Sequence, residues 1–342
     1  MSAPKLKVPV QAVVEALTET GWNKERAAER LGIHRQTLRR VMRENGIKQA
    51  KRSFDIELPP AELLPVEDLV KRRKQQYKQK ASYEKARNLI NCTVRIDGPI
   101  GLHTFGDPHL DDDGTDLDAV ERHTKIVNSS DAIFAINSGD STNNWVGRLG
   151  HLYSEQSTSA PEAWQLTEWF VSGLRGHWLF MISGNHDAWS GAGDPLKWMA
   201  KQACAMYESS EVRMNLKFPN KKQVRINARH DFAGKSQYNP AHGALKSVLF
   251  GMRDHISVCG HKHVSGYSIL KMDDLVCHAV QVASYKIYDR FARDKGFRDL
   301  HLSPCAFITI DPSKPDDNAD MIKVWWNPEE GVEYLRFLRK RK

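Results

Sequence analysis

Five short motifs bring acids, amides and imidazoles together in chain order. They are Gly106-Asp107-Pro108-His109, Gly139-Asp140, Gly184-Asn185-His186-Asp187, Arg229-His230-Asp231 and Gly260-His261-Lys262-His263. Each follows an apolar run, so each is expected at the end of a strand, where ligand sites of α/β sheets gather. Glycine ahead of a ligand lets the chain turn sharply and the backbone approach the site. The donors are carboxylates, an amide oxygen and imidazoles, with no thiolate. That chemistry favours two divalent metal ions, Mn²⁺ first and Fe or Zn next, over a closed structural zinc cage. One Asp bridging two cations about 3.5–4 Å apart makes a clamp for phosphoryl transfer. A lone D-x-H or H-x-H arises by chance and a lone G-N-H-D can be a turn; five such motifs in fixed order point to a metal centre.

The ordered set resembles the calcineurin-like metallophosphoesterase superfamily over about residues 100–265. The resemblance implies an α/β fold, a β-sandwich of two mixed sheets flanked by helices. It implies that Asp107, His109 and His263 hold one metal, that Asp140 bridges, and that Asn185, His230 and His261 hold the other. His186 would act on the substrate, stabilising the phosphorane or protonating the leaving group, with Asp187 orienting it. The nucleophile would be a metal-bridging hydroxide. His242 is the alternative to His230, but His230 directly follows the run QVRINA, whereas His242 lies in the loop-like Asn239-Pro240-Ala241-His242-Gly243. His255 reads as structural. Asn143 and Asn144 read as turn residues, with phosphate contact as the alternative, and Asp111, Asp112 and Asp113 as a solvated acidic loop, with a further cation on one of them as the alternative. The motifs are also similar to those of DNA-repair nucleases of the SbcD type.

The elements that must position these residues follow from the hydrophobic pattern. The runs IGLHTF, AIFAIN, HWLFMIS, QVRINA and HISVCG alternate with helix-like segments at 117–128 and 163–174, as in an α/β domain with a buried sheet. Strands dominate after residue 264, and the basic end Arg339-Lys340-Arg341-Lys342 reads as a frayed tail. The expected divisions are a small all-α domain at 1–50, a basic linker or helix at 51–91 containing Pro59, Pro60 and Pro65, the catalytic domain at 92–312, and a C-terminal extension at 313–342.

Residues 8–47 read as three short helices. The first has Val10, Val13, Val14 and Leu17 at helical spacing and closes at Gly21. Asn23 caps a second with Ala27, Ala28 and Leu31 facing inward, Gly32 breaks it, and a third runs from about Arg35 to Glu44. The segment resembles the Fis-type helix-turn-helix of bacterial regulators. Its second motif helix would lie in the major groove and offer His34, Arg35, Gln36, Arg39, Arg40 and Arg43 to DNA. Arg35 and Gln36 suit base edges, and Arg39, Arg40 and Arg43 suit phosphates. A helical protein-docking module is the bland alternative.

The charge agrees with a polyanionic partner for this end. Residues 1–90 hold 20 Lys and Arg against 11 Asp and Glu, while the other 252 residues hold 30 against 31. No apolar run is long enough for a membrane span or a secretory signal. The five scattered cysteines, without a C-x-x-C pair, read as reduced thiols in a bacterial or phage-infected cytoplasm, and Cys259 as a small buried residue. The expectation is a DNA-binding two-metal phosphodiesterase, a nuclease, in an arrangement similar to that of phage and prophage proteins. The alternatives are an esterase for nucleotides or phosphoproteins, or a DNA-binding regulator with a phosphoesterase-like scaffold.

Overall fold

A computed structural model describes residues 8–49, 64–188, 194–288 and 303–341. Pro59 and Pro60 of the expected linker lie outside them. The chain divides into two compact units, residues 1–74 and 75–342.

The first unit is built from α1 (Val10–Glu19), α2 (Lys24–Arg30) and α3 (Arg35–Glu44). Val13, Ala16, Leu17, Ala27, Ala28, Leu38, Val41 and Met42 form its core. Small Ala27 and Ala28 let the helices cross closely. Asn23 caps α2 by accepting from the amides of Glu25 at 3.1 Å and Arg26 at 3.2 Å. Of the four apolar residues at helical spacing, Val10 and Val14 are 43% and 39% exposed, because α1 buries the face of Val13, Ala16 and Leu17. Helix α4 (Val66–Arg87) runs across the division between the units and buries no residue along its length. Its basic run is therefore solvated, with Lys80 paired to Glu84 one turn on at 2.5 Å.

In the second unit β1 (Ile90–Thr93) and β2 (Ile100–Phe105) are followed by α5 (Leu117–Val127), β3 (Ile133–Asn137), a 3₁₀ segment at Gly147–Glu155, α6 (Ala160–Gly173) and β4 (Trp178–Ile182). Then come α7 (Asn185–Ala188), α8 (Pro195–Gln202), β5 (Met206–Glu208), β6 (Glu211–Lys217), β7 (Gln223–Arg229), α9 (His242–Phe250) and β8 (Ile256–Cys259). The rest is β9 (Gly266–Lys271), β10 (Val276–Gln281), β11 (Cys305–Ile310), β12 (Ile322–Trp325) and α10 (Pro328–Lys340). Two six-stranded mixed sheets result, ordered β1-β6-β7-β8-β10-β9 and β12-β11-β2-β3-β4-β5.

The sheets share one apolar core. Ile100, Leu102, Ile136, Phe180 and Ile182 come from one, and Leu216, Val224, Ile226, Ile256 and Val258 from the other. Side chains of α5, α6, α8 and α10 cover the outer face of the second sheet, and α9 packs on the first. Strands β2, β3 and β4 run parallel, with Phe105 opposite Asn137 and Asn137 opposite Met181. Strands β7 and β8 are also parallel. The motif loops therefore leave each sheet in a common direction.

The end of the chain differs from expectation. Residues 313–341 pack into the second unit, through β12 on β11 and through Val332 and Leu335 of α10 in the core. The expected frayed tail is helical to Lys340, and Arg339 donates to the carbonyls of Asp97 at 3.1 Å and Pro99 at 2.6 Å. Asn327 caps that helix, and Glu329 and Glu330 in its first turn balance the basic last turn.

Candidate functional site

The five motifs converge. Asp107 follows β2, Asp140 follows β3, and Asn185 opens α7 after β4; His230 follows β7, and His261 and His263 follow β8. Asp107, His109 and His263 present donor atoms within 4.8 Å of one another, as do Asp140, His230 and His261, and His109, Asp140 and His186. Asn185 joins through its side-chain oxygen, 2.9 Å from His230 Nε2. His242 opens α9 and belongs to none of these groups among the described residues. His255 is structural: one ring nitrogen accepts from the Arg225 amide and the other pairs with Asp316.

Backbone conformation marks the same residues. His109, Asp140, His261 and His263 have φ of 42°, 52°, 68° and 50°. Non-glycine residues reach this region at a cost of order 1–2 kcal/mol each, so the surrounding structure must enforce it. Two motif glycines show the packing behind that strain. A Cβ on Gly184 would collide with the Asp140 carboxylate, and one on Gly260 with that of Asp107.

The carboxylates are held by amides. Asp107 Oδ2 accepts from the His261 amide at 2.7 Å, and Asp140 Oδ1 from the His186 amide at 2.9 Å. Ser284 Oγ donates to the Asp107 carbonyl at 2.7 Å, fixing the end of β2. Burial opposes charge on His230, but the carboxylates of Asp140 and Asp107 outweigh it and hold the imidazolium up to about 10. Burial also opposes charge on Asp140, and the imidazoles of His230, His186 and His109 overcome it, holding the acid below the usual carboxylate range. Burial, then the neighbouring His186 and His263, holds His109 well below the ordinary imidazole value.

This donor set fits divalent cations. His109 Nε2 lies 3.3 Å from His263 Nε2, and His230 Nε2 lies 3.0 Å from His261 Nδ1. Facing imidazole nitrogens share at most one proton per pair; a cation between them uses both lone pairs. Buried oxygens of Asp107 and Asp140 supply the compensating charge. Asp107, His109 and His263 would hold one ion, Asn185, His230 and His261 another, with Asp140 between.

His186 and Asp187 differ from expectation in one respect. The expected partner of the His186 ring is Asp187, but His186 Nδ1 contacts the Asn143 carbonyl at 2.6 Å. The fully buried Asp187 accepts instead from the amides of Asp140 at 2.8 Å, Ser141 at 3.0 Å and Gly184 at 2.9 Å. Asp187 thus staples the loops after β3 and β4 together. Burial and the nearby Asp140 raise its pKa.

The acidic loop is only partly solvated: Asp113 is exposed, Asp112 half-buried and Asp111 buried. Asp111 is 1% exposed and accepts from the Asn143 amide at 2.7 Å and Gln156 Nε2 at 2.9 Å. Asn143 Nδ2 donates to Asp112 at 2.8 Å, and Lys286 Nζ lies 2.9 Å from the same carboxylate. Asn144 Nδ2 donates to the His186 carbonyl at 2.6 Å. Asn143 and Asn144 are therefore braces for the His186 loop. Gln156 and Lys286 were not visible as site residues, because nothing in their local sequence marks a partner 45 or 174 positions away.

In the first unit His34, Arg35, Gln36, Arg39, Arg40 and Arg43 are all exposed on or beside α3. Three of them already have work within the unit, Arg40 through an ion pair with Glu44 one turn on at 3.8 Å. His34 Nδ1 caps α3 by accepting from the Gln36 amide at 3.3 Å, and Arg35 pairs with Glu25. No helix among the described residues is long and apolar enough to cross a membrane.

No curated protein matches the chain. Residues 11–44, which run from α1 to the end of α3, match the family described as bacterial regulatory protein, Fis family, and this segment is a Fis-type helix-turn-helix.

Proposed function

We propose that the second unit is a calcineurin-like metallophosphoesterase acting on phosphodiester bonds, and that the whole chain is a DNA-directed nuclease. The observation that carries this reading is the convergence of Asp107, His109, Asp140, Asn185, His230, His261 and His263 from two sheets, four of them at strained φ. Strained residues of this kind cluster at functional sites.

Bound divalent cations, Mn²⁺ by preference, would polarise the phosphoryl oxygens and lower the pKa of water. The chain's own residues do the rest. Asp140 lies between the two donor groups and its charge serves both. His186 gives its Nδ1 hydrogen to the Asn143 carbonyl, which leaves Nε2 facing the centre, 3.9 Å from Asp140 Oδ2. From there it can hold a proton for the leaving oxygen. Asp187 keeps the two loops in register so that Asp140 and His186 do not drift apart.

The helix-turn-helix supports DNA as the substrate or the platform: motifs of this class set their second helix in the major groove. The regulatory name of the matched family favours a second reading, a DNA-binding regulator whose second unit is a phosphoesterase-like scaffold. Turnover separates the two. Full-length protein with Mn²⁺ is expected to cleave supercoiled, linear or single-stranded DNA, together with a generic phosphodiester. Cleavage of the small ester alone moves the substrate to nucleotides or phosphoproteins; no turnover of any substrate leaves the regulator.

A further inference from the structure

Outside the candidate centre, the outer face of the second sheet buries another group of donors. His103 on β2 is 0% exposed, His123 on α5 is 4% exposed, and Cys305, which opens β11, is 1% exposed. One donor atom from each lies within 4.8 Å of the others. Tyr285, also fully buried, places its hydroxyl 2.7 Å from His123 Nδ1 and hydrogen-bonds to Cys305. Neither ring nitrogen of His103 has a hydrogen-bond partner among the described residues.

An imidazole in that position needs an explanation. Leaving a buried polar atom unsatisfied forfeits its hydration with nothing in return, and His103 has two such atoms. A phenylalanine would fill the same space against Phe105, 4.4 Å away between ring centres, and against Phe307 without that cost. Burial, then the neighbouring His123, keeps His103 neutral, so a lone pair is available. Burial pushes the Cys305 thiol up to about 12, so without a cation it stays protonated.

We propose that His103, His123 and Cys305 bind one thiophilic divalent cation of the zinc class, with the Tyr285 hydroxyl beside it as a fourth donor. The thiol loses its proton on binding. The donor types exclude Mg²⁺ and Mn²⁺, which prefer oxygen, and suit Zn²⁺, which accepts imidazole and thiolate together. Donors about 2.0–2.3 Å from a common ion lie on the order of 3.5 Å apart, so side-chain rotations close the observed spacing. The ion ties β2, α5 and β11 together. It also sits under the candidate centre: His103 precedes Asp107 by four positions on the same run, and the Tyr285 amide donates to the Asp107 carbonyl at 3.1 Å. This proposal does not rest on the metallophosphoesterase reading, since the two donor sets share no residue.

Cobalt tests it, because only a thiolate-bound Co²⁺ gives a near-ultraviolet charge-transfer band, and the candidate centre contains no cysteine. Full-length protein from cells grown with Co²⁺ is expected to show the band. Cys305→Ser loses it; Cys259→Ser and Asp140→Asn keep it. Protein from zinc-supplemented cells is expected to retain one zinc per chain through dialysis against a chelator. His103→Phe, which suits the aromatic surroundings and preserves the fold, loses that zinc. A wild-type protein with neither band nor retained zinc overturns the site and leaves a hydrogen-bond network around Tyr285. So does a band that persists in Cys305→Ser.

Discussion

Asp140 is held in a left-handed conformation with its carboxylate against His230 Nε2 at 3.1 Å, its amide on Asp187 and its oxygen on the His186 amide. A single negative charge there serves donors from both sheets. Asp140→Asn is expected to lose metal occupancy and hydrolysis together, since a neutral amide cannot replace the charge. Metal analysis beside a phosphodiester assay checks this, and two retained metals with near-normal turnover would falsify the two-metal reading. His186→Ala is expected to keep its metals and slow hydrolysis by roughly 10²–10⁴-fold, the worth of a positioned proton donor. A lost metal in that variant reassigns His186 as a ligand. His230→Ala should lower metal content more than His242→Ala, because only His230 lies in a donor group. The convergence of these residues was legible because every motif follows an apolar run and most carry a glycine beside the donor. Asp111, Asn143, Gln156 and Lys286 were not, because a hydrogen-bond network closed by folding leaves no spacing in the chain.

At the scale of elements, the apolar runs of β2, β3, β4, β7 and β8 announced themselves by composition, while α10 did not. Its basic last turn reads as a tail until Arg339 is seen to reach the loop carbonyls before β2. Strand β10 carries a different signal. It lies between β8 and β9, and His278 within it is 1% exposed. Burial, then His255, lowers its pKa from 6.5 to about 4. The folded chain therefore binds fewer protons than the unfolded chain between those values. The stabilisation is present above about pH 6.5 and is lost as pH falls toward about 4, by up to about 3 kcal/mol. Urea unfolding at pH 7.5, 6 and 4.5 measures it. His278→Gln is expected to lose less stability over that interval than the wild type; equal losses would show that His278 does not supply the dependence.

At the scale of the whole chain, the basic excess and the donor set fall in different places. The excess lies before residue 91, and every ligand proposed for the two-metal centre lies beyond residue 106. If one function joins them, DNA affinity comes mainly from the first ninety residues and chemistry from the rest. Each Lys or Arg on a phosphate releases a counterion, so log affinity should fall by about 0.9 per log unit of salt for each contact. The second compact unit alone, Gln75–Lys342, is expected to lose most of the affinity and the salt slope. It should still turn over a small phosphodiester at nearly the full-length rate. Arg39 and Arg40 to alanine should weaken binding to all sequences alike. Arg35 and Gln36 to alanine should erode sequence preference more than affinity, although Arg35 must first leave Glu25. Glu25→Gln frees that guanidinium and is expected to tighten binding at low salt. Fluorescence anisotropy over a salt series, with turnover of the small ester from the same preparations, reads both properties. If Gln75–Lys342 binds as tightly as the intact chain, the helix-turn-helix is not the anchor, and residues 8–47 become a docking module for another protein.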